Sequence, residues 1–207
     1  MFITFEGIEG SGKSTQVPKI ADYLRAKGRD IVTTREPGGT TVGDRLRQIL
    51  LAPSTKIDAV TELLMYAASR RQHVMEVIRP ALERGAMVLC DRYTDSTLAY
   101  QGFGRELNLD DLRMLNQLAT GGTSPSLTLL YDLSEEEGLA RAQSRNVADG
   151  NREGRFEAEE LRFHRRVREG YLSLVDAEPE RWVKIDARGT VDEVFARTLD
   201  VLESRLP

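Results

Sequence analysis

Five short runs of apolar and β-branched residues recur along the chain, at Phe2–Glu6, 30–34, Met87–Asp91, Leu127–Asp132 and Trp182–Asp186. Each is nearly continuous in its apolar character, as expected of strands covered on both faces in a parallel sheet. Between the runs the apolar positions take up helical spacing. Val17, Ile20, Ala21 and Leu24 share one face of a helix that Gly28 ends. Pro18, early in that helix, removes one backbone hydrogen bond or bends it. Residues 41–51 read as a short helix and 58–84 as a long one, stopped by Gly85 and carrying Val60, Leu63, Leu64, Ala67 and Val74 as its apolar stripe. Residues 110–120 and 157–176 read as further helices. Capping boxes at Ser134–Glu137 and Thr190–Glu193 mark two more starts. Alternating strands and helices predict a three-layer α/β fold with a five-stranded parallel sheet, in one domain covering 1–207. Ligands in such folds sit beyond the carboxyl ends of the strands.

The first candidate strand runs into Gly7-Ile8-Glu9-Gly10-Ser11-Gly12-Lys13-Ser14, followed by Thr15 and a helix. This is the P-loop pattern in its proper strand–turn–helix context. Its glycines let backbone N–H groups curl inward around phosphate oxygens, and the helix N-terminus adds positive potential. Lys13 is placed to bridge the β- and γ-phosphates of ATP, and the Ser14 hydroxyl to hold Mg²⁺. A P-loop announces a nucleotide and not a reaction. The NKxD guanine-reading motif of GTPases is missing. An ATP-driven switch protein stays open as an alternative to a kinase.

The other strand ends carry matching chemistry. Asp91-Arg92-Tyr93 closes the third run: the Asp can anchor Mg²⁺ through water, and the Arg can grip a second phosphate bidentately. Arg35-Glu36-Pro37-Gly38-Gly39-Thr40 follows the second run and brings another arginine to the same edge. Tyr66 and Arg70, four apart, share one face of the long helix, where a ring beside a guanidinium can stack a base and donate to its carbonyl. Residues 93–101, with Ser96, Tyr100 and Gln101, add short polar groups and a second tyrosine.

Composition narrows the setting. The 207 residues are 40% hydrophobic and 30% charged with a formal charge of -4, which suits a packed core and argues against a broad nucleic-acid surface. Any anion site must therefore be local. The single Cys90 fits a reducing compartment, no apolar run approaches the roughly 20 residues of a membrane span, and the start lacks a basic secretion leader, so the cytoplasm is expected. His73 and His164 read as surface or packing residues, Cys90 as core within its strand, and Trp182 as packing against the sheet.

Taken together, Phe5 through Ser14, Arg35 through Thr40, Asp91-Arg92-Tyr93 and Ala99-Tyr100-Gln101-Gly102 resemble the thymidylate kinase family in order and spacing, over nearly the whole chain. The resemblance implies a P-loop nucleoside monophosphate kinase fold with a mobile lid, and transfer of phosphate from ATP to dTMP with Mg²⁺. Another nucleoside or nucleotide kinase of the same fold is the nearest alternative. By the resemblance, Glu9 accepts from the sugar 3′-hydroxyl and helps organise Mg²⁺, while Arg35 and Arg92 clasp the acceptor phosphate beside Pro37. It further implies that Tyr66 stacks on thymine, Arg70 reaches O4, Ser96 and Gln101 lie near the base edge, and Tyr100 crowds C2′. The segment 141–156, with Arg141, Arg145, Arg152 and Arg155, resembles the lid. Because Ile8, Glu9, Gly10 and Ser11 offer no P-loop cation, a lid arginine of the bacterial type is implied for transfer, Arg155 ranked before Arg152. A homodimer packed through long helices is implied as well.

Overall fold

The computed structural model of the chain describes residues 1–149 and 154–206. Five parallel strands, β1 (Phe2–Glu6), β2 (Ile31–Arg35), β3 (Met87–Asp91), β4 (Leu127–Asp132) and β5 (Trp182–Asp186), are ordered β2-β3-β1-β4-β5. The helices are α1 (Lys13–Ala26), α2 (Thr41–Leu51), α3 (Ala59–His73), α4 (Arg79–Glu83) and α5 (Thr94–Thr97), then α6 (Leu109–Thr120), α7 (Glu135–Asp149), α8 (Leu161–Ala177) and α9 (Val191–Arg205).

Pleating sends alternate side chains to opposite faces. Ile3, Phe5, Leu89, Leu127 and Leu129 face α1 and α9, where they meet Val17, Ile20, Leu24, Val194 and Leu202. Phe2, Val88 and Cys90 face the other way, onto Val74, Ile78 and Ala81. Leu130 and Trp182 pack there too, against Tyr100, Phe163, Val167 and Tyr171. The expected three layers result. The α9 capping box is complete, Thr190 and Glu193 each bonding the other's backbone N–H. No described helix is long and apolar enough to cross a membrane.

Two expectations change, and one stretch without an expected element acquires one. The helix expected over 58–84 is interrupted by a π-helical turn at Val74–Ile78, where the Arg79 N–H bonds Val74 O, five residues back. Pro80 has no N–H for the carbonyl four residues earlier and its ring crowds that carbonyl, so the wider turn relieves the clash. Residues 94–104, which have no apolar period, are α5 followed by a second π-helical turn, Leu98–Gly104. The apolar stripe of α3 also splits: Leu63, Ala67 and Val74 are buried, while Val60 and Leu64 are 50% and 54% exposed. Met114 and Leu118 of α6 are similarly open, and Leu64 and Leu118 line a groove between the two helices with Ala67, Ala68, Arg71, Leu115 and Ala119.

Register explains why the separate motifs meet. Asp91 of β3 pairs with Phe5 of β1 on one side and with Arg35 of β2 on the other. The residues that leave these three strands therefore emerge in one row, about 4.8 Å apart.

A phosphate-binding cleft and its candidate active site

The loop after β1 curls around the start of α1 and lines a hollow there. Gly12 opens the helix in the left-handed region, with φ 91° and no side-chain cap, so the Lys13 and Ser14 N–H groups remain available to an anion, while the Thr15 N–H donates to Gly12 O at 3.0 Å. Gly10 has φ 70°, and a Cβ there would stand 2.0 Å from the carbonyl oxygen of Gly138 in α7. The loop therefore lies directly against the helix that leads into the expected lid. Lys13 folds back onto the loop, its Nζ 2.8, 2.9 and 3.0 Å from Gly7 O, Ile8 O and Ser11 Oγ. Burial and the nearby Arg92 bring its pKa down to about 7, against the opposing pull of Asp91, Glu9 and Glu6.

Facing the lysine is Arg92, held in a left-handed backbone conformation of φ 69°, which costs an L-residue roughly 1–2 kcal/mol. Its guanidinium is gripped at both ends. Nη2 donates to Glu9 Oε1 at 3.1 Å, and Nη1 donates to Ser96 Oγ at 3.3 Å and Tyr171 OH at 3.2 Å. The plane lies over the Tyr100 ring, 4.8 Å from its centroid. Tyr100 OH donates to the same Glu9 oxygen at 2.6 Å. Behind this layer sits Glu6, fully buried, accepting from the Tyr93 N–H, Ser96 Oγ and Tyr171 OH at 2.8, 2.5 and 2.8 Å. Burial and Asp95 push its pKa up to about 7, although Ser96 and Arg92 oppose the shift. Glu9 goes the other way. Burial alone would raise it, but His164, Arg92 and Tyr100 outweigh burial and hold it at about 2.

A cavity of about 610 Å³ joins this layer to the loop. Glu9 through Thr15, Arg35, Pro37, Tyr66, Arg70, Asp91, Arg92, Ser96, Tyr100 and Gln101 all line it, so most of the expected site residues share one space. Gly7 and Ile8 belong to the loop but are turned inward; Ile8 packs in the core. Arg35 stands exposed at the rim. Tyr66 forms one wall, and Pro37 follows a cis peptide bond. Arg70 is far more committed than a base-reading role suggests. It donates to Glu36, Thr97, Asn116 and the Tyr93 carbonyl, which uses four of its five N–H groups and leaves one for a ligand.

Ser14 Oγ donates to Asp91 Oδ2 at 2.9 Å, while Asp91 Oδ1 is buried without a hydrogen-bond partner and buried Glu9 Oε2 has only His164 Nδ1 near it, at 3.5 Å. Orphaned carboxylate oxygens beside a phosphate cradle suit Mg²⁺, which takes one or two protein oxygens and completes its shell with phosphate and water. Among the described residues no group of three or more His, Cys, Asp or Glu side chains forms a closed metal cage.

Arg155 does not take the position expected for it. It is 8% exposed, stacks over Phe156, and binds Glu62 Oε2 through Nη2 at 2.5 Å; it is not among the cavity-lining residues. The reason is electrostatic: Glu62, with no exposed surface, draws in Arg155 and Arg105. Arg152 and the Arg145 side chain lie outside the described residues. Arg141 is tied to Glu137 and the Ala187 carbonyl. His73 bridges Thr34 and Glu36 inside the core, in keeping with a packing role. His164 does not stop at packing, since its Nδ1 stands 3.5 Å from Glu9 Oε2. Sequence reasoning also missed Glu6, Arg47, Glu62 and Tyr171. Arg47 lines the cavity and donates to the Pro37 carbonyl at 3.0 Å. Glu6 stands inside the segment Phe5 through Ser14 without a role read for it; the other three lie in no motif, though Glu62 precedes Tyr66 by four residues on α3 and so shares its face.

A parallel sheet with a glycine loop after β1, and a second arginine-lined anion site opposite it, defines a P-loop phosphotransferase acting between two phosphate-bearing substrates. The chain belongs to the thymidylate kinase family, whose model matches residues 5–198. It is 55% identical to the thymidylate kinase of Syntrophotalea carbinolica over 95% of this chain and 92% of that one. It is 54% identical to that of Geobacter sulfurreducens over 100% of this chain and 98% of that one. The crystal structure of thymidylate kinase from Ehrlichia chaffeensis superposes with a TM-score of 0.79 at 33% identity, covering 98% of each chain. A switch protein and a kinase of another acceptor class are thereby set aside.

Two outcomes follow from the charges. Arg155→Ala strands part of the buried Glu62 carboxylate and should cost about 3 kcal/mol, lowering Tm by roughly 5–10 °C. An unchanged Tm together with a lower kcat would return Arg155 to the transferring phosphoryl. Lys13, with a pKa of about 7, is mostly neutral at pH 8 until phosphates raise that value, so ATP binding at pH 8 should take up a proton. Calorimetry in buffers of differing ionisation enthalpy reads this directly, and identical binding heats would count against it.

Proposed function

We propose that this chain moves the γ-phosphoryl group of ATP onto the phosphate of dTMP within the cavity just described. What carries the reading is that the glycine loop and the pair Arg35 and Arg92 open onto one space. ATP phosphates occupy the backbone cradle of Gly7 through Thr15, and Lys13 swings from its loop carbonyls to the β- and γ-phosphates. Arg92 and Arg35 hold the acceptor phosphate, Pro37 walls it, and Tyr66 stacks on the base. Arg70 gives its remaining N–H to O4. Tyr100 lies where a ribose 2′-hydroxyl would crowd it, and Glu9 accepts from the 3′-hydroxyl. Ser14, Asp91 and Glu9 would hold Mg²⁺, which when bound supplies charge neutralisation along the phosphate chain.

Phosphoryl transfer asks the protein mainly for alignment and opposite charge. The attacking oxygen of a phosphate is already anionic, so no general base is needed. Arg92, fixed on both edges before any ligand arrives, loses little freedom when the acceptor binds. Phe156, at the end of the lid segment, and Glu157 after it line one side of the cavity and limit water access. The reducing setting suggested by Cys90 and the metabolite substrates fit the cytoplasm. The exposed apolar residues Val60, Leu64, Met114 and Leu118 give α3 and α6 a face that a second copy would cover.

A coupled assay across dTMP, dUMP, dCMP, UMP, AMP and thymidine should show the highest kcat/KM for dTMP. Tyr66→Ala should raise the dTMP KM about tenfold through lost stacking. A different preferred acceptor, or ATP hydrolysis at full rate without acceptor, would sink the reading. For the second copy, Leu64→Glu with Leu118→Glu should turn a dimer into a monomer in sedimentation; a wild-type monomer, or a mutant that stays dimeric, would dismiss that face.

A further inference from the structure

Glu62 is the most enclosed carboxylate near the base end of the cavity, with no exposed surface, and lies one helical turn before Tyr66 on α3. Every group around it donates. Gln101 Nε2 reaches Oε1 at 2.7 Å, Arg105 Nη2 reaches Oε2 at 3.4 Å, and Arg155 Nη2 reaches Oε2 at 2.5 Å. A carboxylate held between two guanidinium groups can only accept, so it fixes which end of the Gln101 amide faces it. The NH₂ must point at Glu62. The carbonyl Oε1, which receives no hydrogen bond from any described residue, is the end left for a ligand in the cavity that Gln101 lines.

We propose that Glu62 is a positioning residue for specificity: by locking the Gln101 carbonyl toward the cavity, it makes the site read an N–H donor at position 3 of a pyrimidine ring. Rings of the thymine and uracil type carry that donor. Cytosine presents an acceptor there, so two lone pairs would meet with neither hydrogen-bonded, a loss that buried sites penalise heavily. The inference rests on the cavity being the dTMP site and adds how the base edge is read. It also gives the end of the lid segment a task, because Arg155 and Arg105 hold the Glu62 carboxylate in place.

The test is the ratio of kcat/KM for dCMP to that for dTMP. Glu62→Gln lets the Gln101 amide turn either way, so the ratio should rise at least tenfold, whereas Glu62→Asp, which still only accepts, should stay near the wild-type ratio. A purely structural role for Glu62 would lower both activities and leave the ratio where it was, and that result overturns the proposal. Should Glu62→Gln fail to fold, Gln101→Met keeps Glu62 and both arginines in place; the ratio should again rise, and an unchanged ratio again overturns it. A wild-type enzyme that does not favour dTMP would instead remove the functional reading beneath it.

Discussion

The site's governing constraint is the mutual repulsion of Lys13 and Arg92, two cations gathered at one strand edge of a chain whose formal charge is -4. Without phosphates to neutralise them they must be held by the protein itself. Glu6, Glu9 and Asp91 supply the opposing charge, and each is placed by the same row of strand ends that delivers the cations. The depressed Lys13 and the raised Glu6 are two faces of that crowding: burial disfavours charge in both, and neither has a dedicated partner strong enough to cancel it. Glu9 escapes because Arg92, His164 and Tyr100 all converge on it. An incoming pair of phosphates therefore enters a field already focused on it.

The same device recurs one step outward. Glu36 holds Arg70, and His73 holds Glu36. Glu62 holds Arg105 and Arg155. Asp95 holds Arg181, whose guanidinium also bonds Thr128. Buried ion pairs of this kind contribute little net stability against apolar replacements of the same shape. Their use here is geometric, since a planar guanidinium fixed on two sides cannot drift. Positioning within a fraction of an ångström is what phosphoryl transfer demands of the groups around it.

Much of this was legible in the chain because the elements with the strongest local grammar are also those that carry the nucleotide. Four of the five strands begin and end where their apolar runs do, and β2 is displaced by one residue, which brings Arg35 into the strand itself. The glycine loop, Asp91-Arg92 and Arg35 could be read as neighbours because a parallel sheet puts strand ends in a row. What escaped was whatever depends on partners distant in sequence. His164 and Tyr171, two turns apart on α8, reach Glu9 and Glu6 only once α8 packs across residues 98–104. The π-helical turn at Leu98–Gly104 has no periodic signature, yet it sets the rotation that aims Tyr100 at Glu9 and Gln101 at Glu62.

Arg155 shows most clearly how a partner distant in sequence competes for a charge. The resemblance of this glycine- and arginine-rich segment to a family lid implies a cation that meets a phosphoryl group, and nothing nearby in sequence competes for it. The competitor lies 93 positions away, a carboxylate with no exposed surface and therefore a strong need for counter-charge. Burial decides the contest. A solvated arginine is satisfied by water, but a buried Glu62 is satisfied only by donors, and it collects Arg105, Arg155 and Gln101 to meet that need. In this structure Arg155 is held in the frame around Glu62, and the same carboxylate also holds the Gln101 amide.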